Sequence, residues 1–147
     1  MVNRLNLLPQ FIIMSAYKQS FLLTRLAIGT SLFGHGLVRL QKLDKFSHAM
    51  AGLFQHSILP QSLVLIFGYC LPFLEFGIGL LTLTGLFTRQ AAVAGALLMI
   101  LLIFGSTTIE QWDSISPQLL HLAFFVGLLI FVDRYDSWSL DLALRRK

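Results

Sequence analysis

Four long apolar stretches dominate the chain, at about residues 20–38, 63–87, 90–109 and 115–132. Most reach the roughly 20 residues that a helix needs to cross the hydrocarbon core of a bilayer, and the fourth is slightly shorter. The stretches are apolar nearly all round, which is typical of helices in lipid. The pattern therefore predicts an all-α membrane protein: a four-transmembrane-helix bundle that forms a single domain over residues 1–147.

The connections between these spans differ in length. Residues 88–90 and 110–113 leave room only for tight turns, so consecutive spans there are predicted to be antiparallel neighbours. The first connection, residues 39–62, is longer. Within it, residues 46–54 have apolar side chains at helical spacing and end before Pro60. We expect this segment to form a helix that lies in the membrane interface.

The composition agrees with a membrane protein. Of 147 residues, 56% are hydrophobic and only 12% are charged, whereas soluble domains carry about 25% charged residues. This argues against a soluble enzyme, a disordered tail and a nucleic-acid-binding protein. The single cysteine, Cys70, excludes an intrachain disulfide and a thiolate zinc cage. A cleavable signal peptide is not expected, because Pro9 and Gln10 interrupt the apolar stretch after Arg4 and no A-x-A site follows.

The basic residues predict the orientation of the spans. If both termini are cytoplasmic, eight of the 11 basic residues lie inside, in agreement with the positive-inside rule. These eight are Arg4, Lys18, Arg25, Arg89, Arg134, Arg145, Arg146 and Lys147, against Arg39, Lys42 and Lys45 outside. Trp112 and Trp138 are then expected at opposite interfaces. Small residues that allow close helix contact are Gly29, Gly34, Gly36, Gly77, Gly79, Ala91 and Gly95.

Glu75 is the most informative polar residue, because it lies near the middle of the second span. An acid at this depth is costly and marks a candidate functional site. One interpretation is an ion pair with Arg25 of the first span, at a depth difference of roughly 12 Å. The other is a proton carrier or a hydrogen-bond partner for a quinone head group. The two are compatible, and we weight pairing somewhat above chemistry. Pro72 is expected to kink the span beside it.

His35 and His121 form a second group of candidates, expected at similar depth on neighbouring helices. Such a pair suits haem ligation, metal binding or proton relay. We favour the simpler interpretation, in which each ring bonds a carbonyl one turn away or interfacial water, and we consider haem the weakest option. Tyr69 is a candidate ligand contact, although aromatic residues in such spans mostly pack. Four histidines without an acidic cluster do not predict a metal site.

Several motifs together resemble the DoxX family of small bacterial membrane proteins. They are FGHGLVRL at residues 33–40, LEFGIGL at 74–80, GLFTR at 85–89 and WSLD at 138–141. The resemblance implies a four-helix bundle in the bacterial inner membrane. It also brings a family name that derives from a quinone-reducing thiosulfate oxidoreductase. Arg39 departs from the family's common lysine but keeps its charge. Family positions that carry over are Arg25, His35, Gly36, Glu75, Thr88, Arg89 and Asp141.

Two functional hypotheses follow. In the first, the protein is a membrane redox subunit that binds quinone between the first two spans and serves a partner oxidoreductase. Glu75 and His35 would act on the ligand or its protons, Arg25 would hold Glu75, and the cofactor-binding residues would be Arg25, His35, Tyr69, Glu75 and His121. In the second, it is a non-enzymatic scaffold, an accessory subunit or a handler of a small lipophilic molecule. The bilayer, an oxidoreductase subunit and a second copy are the expected partners. A transporter is disfavoured, because no internal repeat is detected.

Overall fold

The computed structural model describes the backbone of residues 7–145 and the side chains of residues 15–144. This part of the chain is all helical, and four of its helices are long and apolar enough to cross a membrane. The predicted bundle of membrane helices is confirmed. Arg4, Arg146 and Lys147 of the charge count lie outside the described residues. The helices are α1 (Leu7–Leu40), α2 (Leu43–Leu53), α3 (Gln61–Thr84), α4 (Thr88–Thr108), α5 (Trp112–Tyr135) and α6 (Leu140–Arg145).

The helices differ from the predicted spans mainly at their ends. α1 begins well before residue 20, because Lys18 and Gln19 are good helix formers and do not interrupt it. α3 ends at Thr84 because Gly85 adopts a left-handed conformation with φ of 67°, a common way to end a helix. α5 has 24 residues and is therefore longer than the short fourth span that the sequence predicts.

The four long helices close into a ring. α1 packs most extensively on α3, and α4 on α5, while contacts of α1 with α5 and of α3 with α4 complete the circle. Phe125 is fully buried at the centre, where its ring occupies the space that a Cβ on Gly95 would need. The core cluster includes Ile28, Leu32, Leu71, Ile78, Met99, Phe125 and Leu128.

Glycines set the antiparallel register of α1 and α3. A Cβ on Gly36 would overlap the backbone of Phe76, and a Cβ on Gly79 would overlap the backbone of Phe33. The two helices therefore touch backbone to backbone, as small residues in membrane helices allow. Gly34 and Gly77 do not serve this purpose, and that part of the prediction is wrong: a Cβ on Gly34 or Gly77 would meet no neighbouring atom within 4 Å.

The bundle has two ends that differ in character. We call the end with the α3–α4 connection (residues 85–87) and α6 the turn end. Tyr17 of α1 and Tyr135 of α5 stack there with ring centroids 5.2 Å apart. We call the opposite end, with α2 and the α4–α5 connection (residues 109–111), the α2 end. Trp112 lies exposed at the α2 end and Trp138 lies exposed at the turn end.

Candidate functional site

Helix α2 covers one end of the bundle and is fastened to α3. The predicted helix in the first connection is confirmed, beginning at Leu43. Gly68 of α3 lets Ser47 approach so closely that a Cβ on the glycine would lie 3.1 Å from the Cα of Ser47. The hydroxyl of Tyr69 donates a hydrogen bond to Oδ1 of Asp44 at 2.6 Å. These contacts hold α2 across the ends of the membrane helices.

A cavity of about 720 Å³ lies beneath α2, between α1, α3, α4 and α5. Most of its wall is apolar, including Leu32, Phe46, Phe67, Leu71 and Met99. A smaller set of polar side chains also lines it: His35, Arg39, Glu75, Ser106, Gln111, Ser114, Gln118 and His121. An apolar cavity with a few convergent polar groups is the usual form of a small-molecule site.

Arg39 and Glu75 form the ion pair of this cavity. The guanidinium of Arg39 donates from Nη1 to Oε1 of Glu75, and it lies 4.8 Å from the ring centroid of Phe46 on α2. The side chain of Glu75 is only 3% exposed, whereas that of Arg39 is 27% exposed. The second carboxylate oxygen, Oε2, is buried and has no hydrogen-bond partner among the described residues. Glu75 is therefore only half satisfied by the protein.

The expected pairing of Glu75 with Arg25 is wrong. Gly36 lies opposite Phe76, so Glu75 lies opposite residue 37 of α1. Arg25 is twelve residues away from that level, which is about 18 Å along a helix. The sequence-based depth estimate assumed that the spans start and end at matching levels, whereas backbone contacts at glycines set the register. Arg39, only two residues from this level, is the partner instead.

Arg25 lies at the turn end, where it binds the C-terminal part of the chain. Its Nη1 donates to Oδ1 of Asp136 at 3.1 Å, and its Nη2 donates to the carbonyl of Trp138. The side chains of Arg25 and Asp136 are 3% and 9% exposed. Arg25 is absent from the cavity wall, so the structure separates it from the other site residues.

Asp141 holds the start of α4. Its two carboxylate oxygens accept hydrogen bonds from the backbone N–H groups of Phe87 and Thr88, each at 2.8 Å. A carboxylate at a helix N-terminus satisfies free N–H groups and is favoured by the helix dipole. The C-terminal segment that contains Asp141 thus anchors the α3–α4 turn.

His35 and His121 come together as predicted, with ring centroids 6.2 Å apart. Nδ1 of His121 donates to the carbonyl of Pro117 at 2.7 Å, so in the neutral ring Nε2 accepts from the hydroxyl of Ser31 at 2.9 Å. Both nitrogens of His121 are engaged, and haem or metal ligation would break one of these bonds. This agrees with the simpler interpretation of that ring. In the described part of the chain, no group of three or more His, Cys, Asp or Glu residues is placed to hold a metal ion.

Tyr69 does not line the cavity; its hydroxyl instead binds Asp44 of α2. The sequence missed Arg39, Ser106 and Gln118 as site residues. Nε2 of Gln118 donates to Oγ of Ser106 at 3.0 Å, while its Oε1 is buried without a partner among the described residues. The sequence does indicate Gln118 as a candidate, since it lies three residues before His121 and so shares a helix face with it.

A comparison with models of known protein families identifies the family of this chain. The DoxX family model matches residues 20–108, which include α2, α3, α4 and the larger part of α1. The chain belongs to the DoxX family. No curated protein and no solved structure matched it in the other two comparisons. With its four apolar helices, this DoxX-family chain is a multi-pass membrane protein whose environment is a lipid bilayer.

Proposed function

We propose that this DoxX-family protein binds a small lipid-soluble molecule with a polar head group in the cavity at the α2 end. The observation that carries the proposal is the combination of an apolar wall with His35, Arg39, Glu75, Gln118 and His121 in one space of about 720 Å³. That volume lies within the range of about 300–1,000 Å³ typical of small-molecule pockets. Polar groups cost free energy in an apolar wall, and a bound head group would offset that cost.

The position of the cavity favours entry from the bilayer. Leu63 of α3 and Leu101 and Phe104 of α4 line the cavity and are more than half exposed. These apolar side chains are on helices that we place in lipid. A lipid-soluble ligand would therefore reach the polar groups without crossing water.

A quinone is the first ligand class to test. In this version the protein is a quinone-interacting subunit of a membrane oxidoreductase system. Glu75 accepts a hydrogen bond or a proton from the head group, and His35 contacts the ligand or relays a proton. Arg39 takes the role of holding Glu75 that the sequence suggested for Arg25. His35 is suited to this role, because its ring lines the cavity and has no hydrogen-bond partner among the described residues.

The alternative is a non-enzymatic scaffold or accessory subunit. The contacts of Arg25 with Asp136 and Trp138 favour it, because they fasten chain segments far apart in sequence and line no cavity. In either case we place the protein in the bacterial inner membrane with both termini cytoplasmic. Lys18, Arg25, Arg89 and Arg134 lie toward the turn end, which would then face the cytoplasm.

The test is to purify the protein in lipid nanodiscs, extract the bound small molecules and identify them by mass spectrometry. A reduced-minus-oxidised optical spectrum on the same sample reports redox cofactors. We expect a lipid-soluble molecule in wild type that is lost in Glu75→Gln. Glu110→Gln is the matched control, because Glu110 lies in the α4–α5 connection and does not line this cavity.

Four outcomes decide the proposal. An ultraviolet quinone signal supports the redox-subunit version, whereas a bound lipophile with a flat spectrum supports lipophile handling. Equal retention in Glu75→Gln and wild type would contradict the site. A haem band would contradict the assignment and turn attention to the two histidines.

A further inference from the structure

Two polar side chains of the cavity have hydrogen-bond acceptors without a partner among the described residues. Oε2 of Glu75 and Oε1 of Gln118 are buried and have no partner among the described residues. Both side chains line the cavity, one from α3 and the other from α5. Buried polar atoms are nearly always hydrogen-bonded, so each orphan atom calls for a partner. As an ionised partner of Arg39, Glu75 offers acceptors only, and the free oxygen of Gln118 is an acceptor too.

Three side chains of the cavity already direct a donor to another partner, whereas the ring of His35 has no hydrogen-bond partner among the described residues and can donate to the oxygen of a hydroxyl group. Arg39 donates to Oε1 of Glu75. Nε2 of Gln118 donates to Ser106, and Nδ1 of His121 donates to the carbonyl of Pro117. The cavity therefore presents unpaired acceptors on two walls, and a head group that offers only acceptors, such as a diketone or an ester, leaves them unpaired.

The charges of the cavity set a second requirement. Arg39 and Glu75 neutralise each other locally. A cationic head group at Oε2 would lie close to the guanidinium, and an anionic one would lie against the carboxylate; each arrangement brings like charges together in an apolar space. A neutral group with an O–H donor avoids both costs and satisfies the free oxygen.

Resting on the proposed function, we infer that the head group recognised by this cavity is a neutral hydroxyl donor of the phenol or alcohol class, with Oε2 of Glu75 as its acceptor. Gln118 supplies a second acceptor on the α5 wall. The apolar body of the ligand lies against the wall that includes Leu71 and Met99. For a quinone–quinol couple, this chemistry selects the reduced form, because only the quinol has O–H groups.

The test compares two probes that differ only at the oxygen: para-octylphenol, which donates, and its methyl ether para-octylanisole, which does not. Binding of each to nanodiscs with protein is measured against nanodiscs without it, which corrects for partition into lipid. A hydrogen bond to a charged group contributes about 1.5–3 kcal/mol, and we take the lower end. We therefore expect wild type to bind the phenol about tenfold more tightly.

Glu75→Gln tests the acceptor. The amide would turn its carbonyl toward Arg39 and its NH₂ toward the cavity, so an acceptor is replaced by a donor. We expect the preference for the phenol to fall below about twofold, since the hydrogen bond that gives it is lost. Glu110→Gln should keep the preference. Gln118→Leu is a second variant that leaves the ion pair intact, and it should reduce the preference. Monodisperse elution shows that each variant is folded.

The outcomes separate this inference from the function on which it rests. If neither probe binds above the protein-free nanodiscs, the proposed function fails and this inference with it. If both probes bind equally to wild type, the cavity function stands and the hydroxyl inference is overturned. Tighter binding of octylammonium than of the phenol would show recognition of a cation and would also overturn it, as would an unchanged preference in both cavity variants.

Discussion

Two arginines on the same helix have different surroundings. Arg25 at the turn end is 3% exposed at its side chain and pairs with Asp136, which is 9% exposed. Arg39 at the α2 end is 27% exposed at its side chain and pairs with Glu75 beside a cavity. The first arginine joins the end of α5 and the following residues to α1. The second holds one oxygen of a carboxylate and leaves the other without a hydrogen-bond partner among the described residues.

Both ends contain buried polar atoms without a hydrogen-bond partner among the described residues, such as Nε of Arg25 at the turn end, but their settings differ. At the turn end, the guanidinium of Arg25 fills the space that a Cβ on Gly85 would need. At the α2 end, the unpaired oxygens of Glu75 and Gln118 belong to side chains that line the large cavity. Dense packing around a charge indicates a structural role, whereas an unpaired acceptor in a cavity wall indicates a binding role. A charged residue in a membrane helix is thus informative only together with its surroundings.

The largest expected effect comes from Arg25→Ala. Removing one member of a buried ion pair leaves the other charge uncompensated, at a cost of about 3–5 kcal/mol. We expect a large drop in the free energy of unfolding, measured in detergent, and unchanged ligand preference in whatever protein remains folded. Arg89→Ala is the control at the same end. Its pair with Asp133 is exposed, and such pairs contribute about 0–1 kcal/mol. Equal effects of the two substitutions would contradict the structural role of Arg25.

Gly79→Ala tests the register that separates the two arginines. Its Cβ would overlap the backbone of Phe33, and overpacking of this kind costs about 1–3 kcal/mol. Because the same helix contact places Glu75 beside Arg39, ligand binding should weaken together with stability. Gly77→Ala, two residues away with open space around its Cβ, should be neutral or slightly stabilising. Indistinguishable unfolding curves for the two variants would argue against the backbone contact.

Arg39→Ala should have the smallest effect on stability. Glu75 loses a charge-assisted hydrogen bond, for which we expect a cost of about 1.5 kcal/mol, because the cavity gives the carboxylate access to other partners. The same substitution should reduce ligand binding strongly, since it frees Glu75 from its fixed position. Lys42→Ala removes an exposed cation near the same end and serves as control. A loss of stability as large as that of Arg25→Ala would show that the ion pair of Arg39 with Glu75 has a structural role as well.

Much of the fold was readable from hydrophobicity alone. The four membrane helices, the helix in the first connection and the meeting of His35 with His121 all follow from apolar patterning and from antiparallel connections. Helix ends were less accurate, because Lys18 and Gln19 are compatible with a helix beyond the apolar stretch. Of the residues suggested for the site, the structure brings His35, Glu75 and His121 to one cavity and places Arg25 and Tyr69 elsewhere.

The sequence by itself determined that this chain is a helical membrane protein with one costly acid in its second span, because apolar length and isolated charges are local properties of the chain. Only the tertiary structure decided which arginine pairs with that acid and that a cavity lies beside it. The reason is that helix register depends on which glycines allow backbones to touch, and a difference of one or two turns exchanges one partner for another. The cavity likewise lies between α1, α3, α4 and α5 beneath α2, and no single segment encodes it.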